Sequence, residues 1–260
     1  PEMVNLCEGS ARFIKTNAEN NFKISAKDLR RNISPKSKVL ILNSPSNPCG
    51  AVYSREELAE LAAVCVEKNI FIISDEIYEK IIFDGLKHES IAGFNKDVYN
   101  LTVTVNGLSK SHSMTGWRIG YLGAPGDVAN AISKLQDHST SNPNSIAQKA
   151  AVAALSAPED FTRGLCREFQ KRRDYLAGRL KHIQKLSFYL PQGAFYMFCD
   201  ISKTGLDSMS FAERLLEEEY VSVIPANCFG IDDFIRISFA ASMEELQKGV
   251  DRIEKWVEKL

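Results

Sequence analysis

The 260-residue sequence predicts an α/β protein, with a mostly parallel sheet in its first part and a smaller α+β part at its end. From residue 38 onward, short β-branched runs alternate with amphipathic stretches, which is typical of a parallel sheet covered by helices. After Pro158 the pattern changes to a long charged helix followed by alternating strands and helices. We therefore expect one domain over residues 1–160 and a second over residues 161–260.

The elements of the first part follow from periodicity and capping. Ser54 and Glu57 form a capping box, and apolar residues at helical spacing continue to Lys68. The run that ends at Ser74 is continuously apolar, as expected of a strand buried on both faces. Strands are predicted over 39–42, 70–74, 101–105 and 118–122, and further helices over 128–136 and 146–155.

The second part is predicted in the same way. Ser242 and Glu245 cap a last helix, which has Leu246, Val250 and Ile253 on one face. The other helices are predicted over 161–183 and 211–218, and the strands over 194–199, 221–224 and 234–239.

Composition narrows the class of protein. Hydrophobic residues make up 44% of the chain, charged residues 25%, and the net charge is −1, which are ordinary values for a soluble globular protein. Nothing in this balance indicates nucleic-acid binding, and no apolar run approaches the ~18 residues of a membrane span. The six cysteines and four histidines are scattered without metal-ligand spacing, so we expect no metal site. Cys65 and Cys199 lie in apolar stretches, which favours free thiols in the cytoplasm.

One loop between two predicted strands, residues 106–120, is crowded with small residues and contains Lys110. Such a loop lets the backbone approach an anion, and Ser109 and Arg118 supply a hydroxyl and a guanidinium suited to a phosphate. A lysine whose pKa is lowered by burial becomes a nucleophile toward carbonyls. From this loop alone, a surface lysine is the simpler interpretation.

The segment from Gly107 to Gly120 resembles the lysine-attachment signature of class I and II aminotransferases at every constrained position. Four other segments resemble elements of that family in the same order along the chain. They are Asn43-Ser44-Pro45-Ser46-Asn47-Pro48-Cys49-Gly50, Ser74-Asp75-Glu76-Ile77-Tyr78, Gly193-Ala194-Phe195-Tyr196 and Phe234-Ile235-Arg236-Ile237-Ser238-Phe239. Residues 225–230 match a sixth element imperfectly, because Ala226 replaces a usual Gly, and Cys49 replaces a usual Thr.

The resemblance implies a fold-type-I transferase that uses pyridoxal 5′-phosphate (PLP). Lys110 would hold the cofactor and move the substrate's α-proton, and Asp75 would pair with the pyridine nitrogen. Asn47 and Tyr78 would bind the cofactor's phenolic oxygen, and Asn47 would also face the substrate. Ser109 and Arg118 would contact the phosphate. Arg236 would bind the substrate's α-carboxylate as a two-pronged pair.

Read singly, each residue has a simpler structural interpretation. Asp75 could cap a helix, Tyr78 could be a core aromatic, Asn47 could belong to an ordinary turn, and Arg236 could face outward from a strand. The five matches together favour the family. Residues 137–143 resemble bacterial aspartate aminotransferases, so the expected substrates are aspartate and 2-oxoglutarate, an amino acid and a 2-oxo acid, handled by a homodimer.

Compared with that family, the chain is expected to lack the N-terminal arm and the first part of the large domain. We therefore expect this chain alone to fold poorly or bind PLP weakly, and to be inactive. Three other functions stay open: a PLP-dependent carbon–sulfur lyase, another aminotransferase on the same fold, and a non-catalytic binding domain. A dinucleotide oxidoreductase is disfavoured because no G-x-G-x-x-G opens a βαβ unit.

Overall fold

The computed structural model describes all residues from Pro1 to Leu260. The eight strands are β1 (Val39–Asn43), β2 (Phe71–Asp75), β3 (Thr102–Gly107), β4 (Gly120–Gly123), β5 (Ser187–Tyr189), β6 (Tyr196–Asp200), β7 (Ile224–Pro225) and β8 (Phe234–Ser238). The ten α-helices are α1 (Glu2–Leu6), α2 (Ala26–Asn32), α3 (Arg55–Lys68), α4 (Lys96–Asn100), α5 (Leu108–Ser111), α6 (Gly126–Asp137), α7 (Ser145–Ser156), α8 (Asp160–Leu180), α9 (Ser208–Glu219) and α10 (Met243–Lys259).

The first sheet has the strand order β1-β2-β3-β4. Strands β1, β2 and β3 are parallel, and β4 runs antiparallel to β3. In this register Asn43 lies beside Asp75, and Asp75 lies beside Val105. The carboxyl ends of the parallel strands therefore meet at one edge of the sheet, where open α/β folds bind their ligands.

The second sheet is antiparallel, in the order β5-β6-β8-β7. Its strands pack with α8, α9 and α10 into a core that includes Trp256 and Phe211, whose rings meet edge to face with centroids 4.9 Å apart. Tyr78, Ile81 and Phe83, which follow β2, belong to the same core. The edge of the first sheet where the parallel strands end is therefore packed directly against the second part of the chain.

Helix signals read from the sequence are confirmed. Ser54 and Glu57 form the reciprocal capping box of α3, and the Ser242 hydroxyl accepts from the Glu245 amide at the start of α10. Helices α6, α7, α8 and α9 begin and end within about three residues of the predicted bounds. All six cysteines are free, and Cys65 and Cys199 are fully buried in the core.

Two strand predictions were wrong in part, and one strand was missed. Arg118 lies in the left-handed region with φ 50°, after a 3-10 turn, so β4 begins only at Gly120. Of residues 221–224 only Ile224 is in a strand, because Tyr220 ends α9 in the left-handed conformation and the Val221 amide still bonds to Leu215 of that helix. β5 was not predicted.

The prediction that β2 is buried on both faces was also wrong. Phe71 at its start is 37% exposed, and on the neighbouring β1 Ile41 is 58% exposed. One face of this sheet is thus only partly covered by the chain. Helix α6 has no buried residue, and its Leu135 is 72% exposed; on α7, Ile146 is 69% exposed. Apolar exposure on this scale indicates a contact surface.

Candidate active site

The turn after β1 places Asn47 at the edge of the first sheet. The Asn43 side chain donates to the Asp75 carbonyl oxygen at 3.0 Å and accepts from the Asn47 amide at 2.8 Å. The peptide bonds between Asn47 and Pro48 and between Ser44 and Pro45 are cis. One asparagine therefore ties the turn to the end of β2.

Two glycines let this turn approach the second part of the chain. Gly50 has φ 71°, and the Gly193 amide donates to the Gly50 carbonyl oxygen at 2.9 Å. A Cβ atom on Gly193 would lie 2.8 Å from the Ile81 carbonyl oxygen, which is closer than the packing allows. Glycine at both positions brings the Gly193–Tyr196 segment against the turn that carries Asn47.

Asp75 ends β2 and lies half-buried beside the turn. Burial raises the pKa of its carboxyl group above the ordinary value, although the Ile77 amide, which donates to Oδ1 at 3.2 Å, and the nearby Lys110 ammonium act in the opposite direction. A carboxylate in this position gains from a cationic partner. The simpler interpretation of Asp75 as a helix cap was wrong, because a turn and not a helix follows β2, and the Ile77 bond belongs to that turn.

Tyr78 lies one turn further on and is buried. Its hydroxyl is 2.9 Å from the hydroxyl of Tyr196 on β6. Burial raises the pKa of Tyr78 far above its ordinary range, so this phenol keeps its proton.

Arg236 on β8 completes a chain of contacts. Its Nη1 donates to Asn47 Oδ1 at 2.7 Å, and its guanidinium carbon lies 4.3 Å from the centre of the Tyr196 ring. Its Nε is buried and has no hydrogen-bond partner. A half-buried guanidinium with a donor to spare is suited to an anionic ligand.

Lys110 lies on α5, directly after β3. Its Nζ is 5.9 Å from the centre of the Tyr78 ring and 5.8 Å from that of Phe195, so the amine faces two aromatic rings of the same site. The simpler interpretation, a lysine on the open surface, does not describe this half-buried position.

Ser109 and Arg118 are less closely integrated. Ser109 shares α5 with Lys110 and is half-buried. The exposed Arg118 guanidinium donates to the Thr115 carbonyl oxygen at 3.0 Å, and no hydrogen bond joins it to Lys110, Asp75 or Ser109. The structure therefore brings together Asn47, Asp75, Tyr78, Lys110 and Arg236, and leaves Arg118 at the margin.

A buried polar cluster behind Asp75 was not found from the sequence. Glu76 is 3% exposed and accepts from the hydroxyls of Ser74 at 2.9 Å and Ser90 at 2.7 Å. His88 Nε2 is 2.8 Å from Glu76 Oε2, so the two side chains share a hydrogen bond, while His88 Nδ1 is buried without a partner.

The same cluster contains the one grouping of metal-ligand side chains in the structure, formed by Glu76, Glu79 and His88. The Glu76–His88 hydrogen bond already uses the atoms that would face an ion. The cluster fixes the backbone on both sides of Asp75.

The two departures from the family pattern are both in packing positions. Cys49 is buried, its thiol lies 3.4 Å from the Ser46 hydroxyl, and it packs in a small cluster with Ala226 and Phe198. Cys49 and Ala226 are both buried in that cluster.

The fold and site together define a class: an α/β protein with a lysine, a carboxylate, a phenol and a guanidinium gathered where parallel strands end. Comparison with protein families is specific within that class. The model for "Aminotransferase class I and II" matches residues 1–253, and the chain belongs to that family.

Relatives and solved structures agree. The chain is 44% identical to an aspartate aminotransferase of Bacillus sp. (strain YM-2), over 99% of this chain and 67% of that protein. It is 45% identical to a probable aspartate/prephenate aminotransferase of Rickettsia conorii, with coverage of 99% and 67%. The crystal structure of an aspartate aminotransferase from Rhizobium meliloti superposes with a TM-score of 0.95 at 36% identity, covering 100% of this chain and 68% of that one. The protein is thus a fold-type-I aminotransferase chain, spanning about two thirds of its relatives' length.

Proposed function

We propose that this protein is a PLP-dependent aminotransferase that takes the amino group of aspartate and passes it to a 2-oxo acid, with 2-oxoglutarate as the expected acceptor. The observation that carries the proposal is the convergence of Lys110, Tyr78 and Arg236 on the two rings of Phe195 and Tyr196. The names of the relatives support the choice of aspartate.

The donor set fits PLP group by group. Asp75, whose pKa is raised by burial, matches the pyridine nitrogen, because a protonated ring nitrogen would stabilise its carboxylate. The protonated phenol of Tyr78 and the amide of Asn47 suit the phenolic oxygen. Lys110 is the amine in reach of both aromatic rings. Ser109 is the hydroxyl nearest in sequence that suits the phosphate, and Arg118 would have to turn toward it.

When bound, PLP supplies an electron sink for the charge left on the substrate's α-carbon. The chain supplies the rest. Asp75 holds a proton on the ring nitrogen by its negative charge, and Tyr78 donates its hydroxyl hydrogen to the phenolic oxygen. Lys110 Nζ takes the α-proton and delivers it again within the same site, acting first as a base and then as an acid.

Arg236 and Asn47 bind the part that all amino-acid substrates share. The guanidinium fork of Arg236 donates two parallel hydrogen bonds to the α-carboxylate, and the Asn47 carbonyl oxygen fixes the plane of the fork from the side. Holding the carboxylate orients the α-hydrogen toward Lys110, which is the positioning that makes proton transfer efficient.

The exposed apolar residues of α6 and α7 support a homodimer, which the family resemblance implies. None of the helices has the length and apolar character needed to cross a bilayer. We place the enzyme in the cytoplasm.

The proposal is tested by mixing the intact enzyme, loaded with PLP, with aspartate and 2-oxoglutarate and measuring oxaloacetate, glutamate and ammonia. We expect stoichiometric oxaloacetate and glutamate without ammonia; ammonia release with no glutamate would instead indicate a lyase. Lys110→Ala should abolish turnover while some PLP stays bound non-covalently, and the exposed Lys203→Ala is the matched control. Appreciable transamination by Lys110→Ala would refute the assignment.

A further inference from the structure

Tyr196 lies between the two halves of the site. It is on β6, is 7% exposed, and contacts Tyr78 through its hydroxyl and Arg236 through its ring. Tyr78 follows β2 of the first sheet, whereas Arg236 pairs with Phe198 in the second sheet. In the sequence analysis, Tyr196 is only one member of a four-residue motif.

The direction of the Tyr78–Tyr196 hydrogen bond follows from counting hydrogens. A phenol has one hydrogen to donate and lone pairs that accept. If Tyr78 donates its hydrogen to the cofactor's phenolic oxygen, as the proposed function requires, its oxygen is free only to accept. Tyr196 must then be the donor, and its hydrogen bond polarises the Tyr78 hydroxyl into a stronger donor.

The ring of Tyr196 acts separately from its hydroxyl. One face supports the Arg236 guanidinium at 4.3 Å, and the Phe229 ring lies 5.4 Å from the same group. Together with Asn47, which accepts from Nη1, these rings fix the plane of the fork. Stacking on an aromatic face suits the flat guanidinium group without using its N–H donors.

We propose that Tyr196 is a positioning residue of this enzyme, whose hydroxyl strengthens the hydrogen bond from Tyr78 to the cofactor and whose ring aligns Arg236 with the substrate carboxylate. The inference rests on the proposed function and adds a residue to it. The alternative is a core tyrosine whose hydroxyl merely finds a partner. The two differ in what the hydroxyl does to the bound cofactor.

The hydroxyl is tested in the PLP-loaded protein by the pH midpoint of the cofactor's visible absorption change. A hydrogen bond to the phenolic oxygen favours the deprotonated cofactor, in which that oxygen carries more negative charge, so weakening the bond raises the midpoint. Tyr78→Phe should raise it by about one pH unit, and Tyr196→Phe by about 0.3 unit. In the Tyr78→Phe background, Tyr196→Phe should add nothing.

Tyr189→Phe is the matched control, because it removes a phenol hydroxyl from the neighbouring strand β5, where that hydroxyl bonds only to Gln192. We expect no change in the midpoint for this variant. Two outcomes would overturn the proposed role of the Tyr196 hydroxyl. One is a midpoint for Tyr196→Phe equal to that of the control. The other is additive midpoint shifts for Tyr78→Phe and Tyr196→Phe in the double variant. A ring-fluorinated tyrosine at position 196 keeps the shape and donates more strongly, so it should lower the midpoint even if Tyr196→Phe proves unstable.

The role of the Tyr196 ring is tested by measuring the affinity of the protein for a carboxylate ligand, succinate. Tyr196→Phe keeps the stacked face and should change the dissociation constant less than twofold, whereas Tyr196→Leu should weaken binding about fivefold. Equal affinities for the two variants would overturn the ring role. The wild-type protein is assayed for transamination in parallel: its inactivity would count against the proposed function, whereas an active wild type with unmoved variants counts against Tyr196 alone.

Discussion

Replacing Arg236 tests how the site binds substrate. The side chain has Nη1 bound to Asn47, a buried Nε without a partner, and its plane held by the rings of Tyr196 and Phe229. It therefore meets the α-carboxylate already oriented. Arg236→Gln removes both hydrogen bonds of the fork, and Arg236→Lys retains the charge but only one of them.

The magnitude follows from these two bonds. Each hydrogen bond to a charged group contributes about 1.5–3 kcal/mol, so the pair is worth about 3–6 kcal/mol in the transition state. At 1.4 kcal/mol for each factor of ten, kcat/KM for aspartate should fall about 10²- to 10⁴-fold in Arg236→Gln and about 10- to 100-fold in Arg236→Lys.

The assay compares single-turnover rates for aspartate with those for β-alanine, which has an amine but no carboxylate on the amine-bearing carbon. The rate of the slow reaction of β-alanine should change less than about threefold in Arg236→Gln, because β-alanine has no α-carboxylate for the guanidinium to bind. Arg252→Gln, an exposed arginine on α10, is the control and should leave both rates unchanged. A loss below tenfold with aspartate, or an equal loss with both amines, would refute the carboxylate role.

Four further substitutions test stability. Asp75→Asn should bind PLP more weakly yet stabilise the cofactor-free protein at neutral pH. Because burial raises the folded pKa of Asp75, the contribution of this carboxyl group to stability falls as pH rises from its unfolded pKa through its folded pKa. Thermal midpoints measured across that pH window should therefore show the gain from Asp75→Asn only on the alkaline side. Arg173, whose side chain is 3% exposed, donates to Asp84 and to the Pro191 carbonyl oxygen, so Arg173→Ala should cost about 3 kcal/mol in urea unfolding; a cost below 1 kcal/mol would contradict this. Asp84→Asn should lower the free energy of unfolding by less than Arg173→Ala does. Because the Arg173 guanidinium lowers the folded pKa of Asp84, this loss should be present above the unfolded pKa of Asp84 and disappear as pH falls through its folded pKa. Trp256→Ala should cost about 3–5 kcal/mol, since the indole is 1% exposed and donates to Glu218, and an unchanged urea midpoint would exclude this packing.

Local signals predicted much of the fold. The capping residues Ser54 and Ser242 fixed the starts of α3 and α10, because a cap is an interaction within four residues. Errors came where tertiary context decides. Val221 reads as a strand residue by propensity, but its amide completes the last turn of α9.

The site residues also divide into those that a short sequence segment predicts and those that depend on tertiary contacts. Motif resemblance located Lys110, Asp75 and Arg236, each within a short segment. It could not place Tyr196 against Tyr78, because these residues are 118 positions apart and meet only when the second sheet packs on the first. Nor could it show that Arg118 takes the left-handed conformation and faces solvent, which depends on the 3-10 turn before it.

The central claim is that Lys110 is the residue that holds the cofactor. Borohydride reduction of the PLP-loaded intact enzyme, followed by peptide mass spectrometry, tests it directly, because reduction makes the lysine–cofactor link permanent. The mass of the reduced cofactor should appear on the peptide containing Lys110 and be absent from Lys110→Ala. Labelling of another lysine in the wild type, or none at all, would contradict the account.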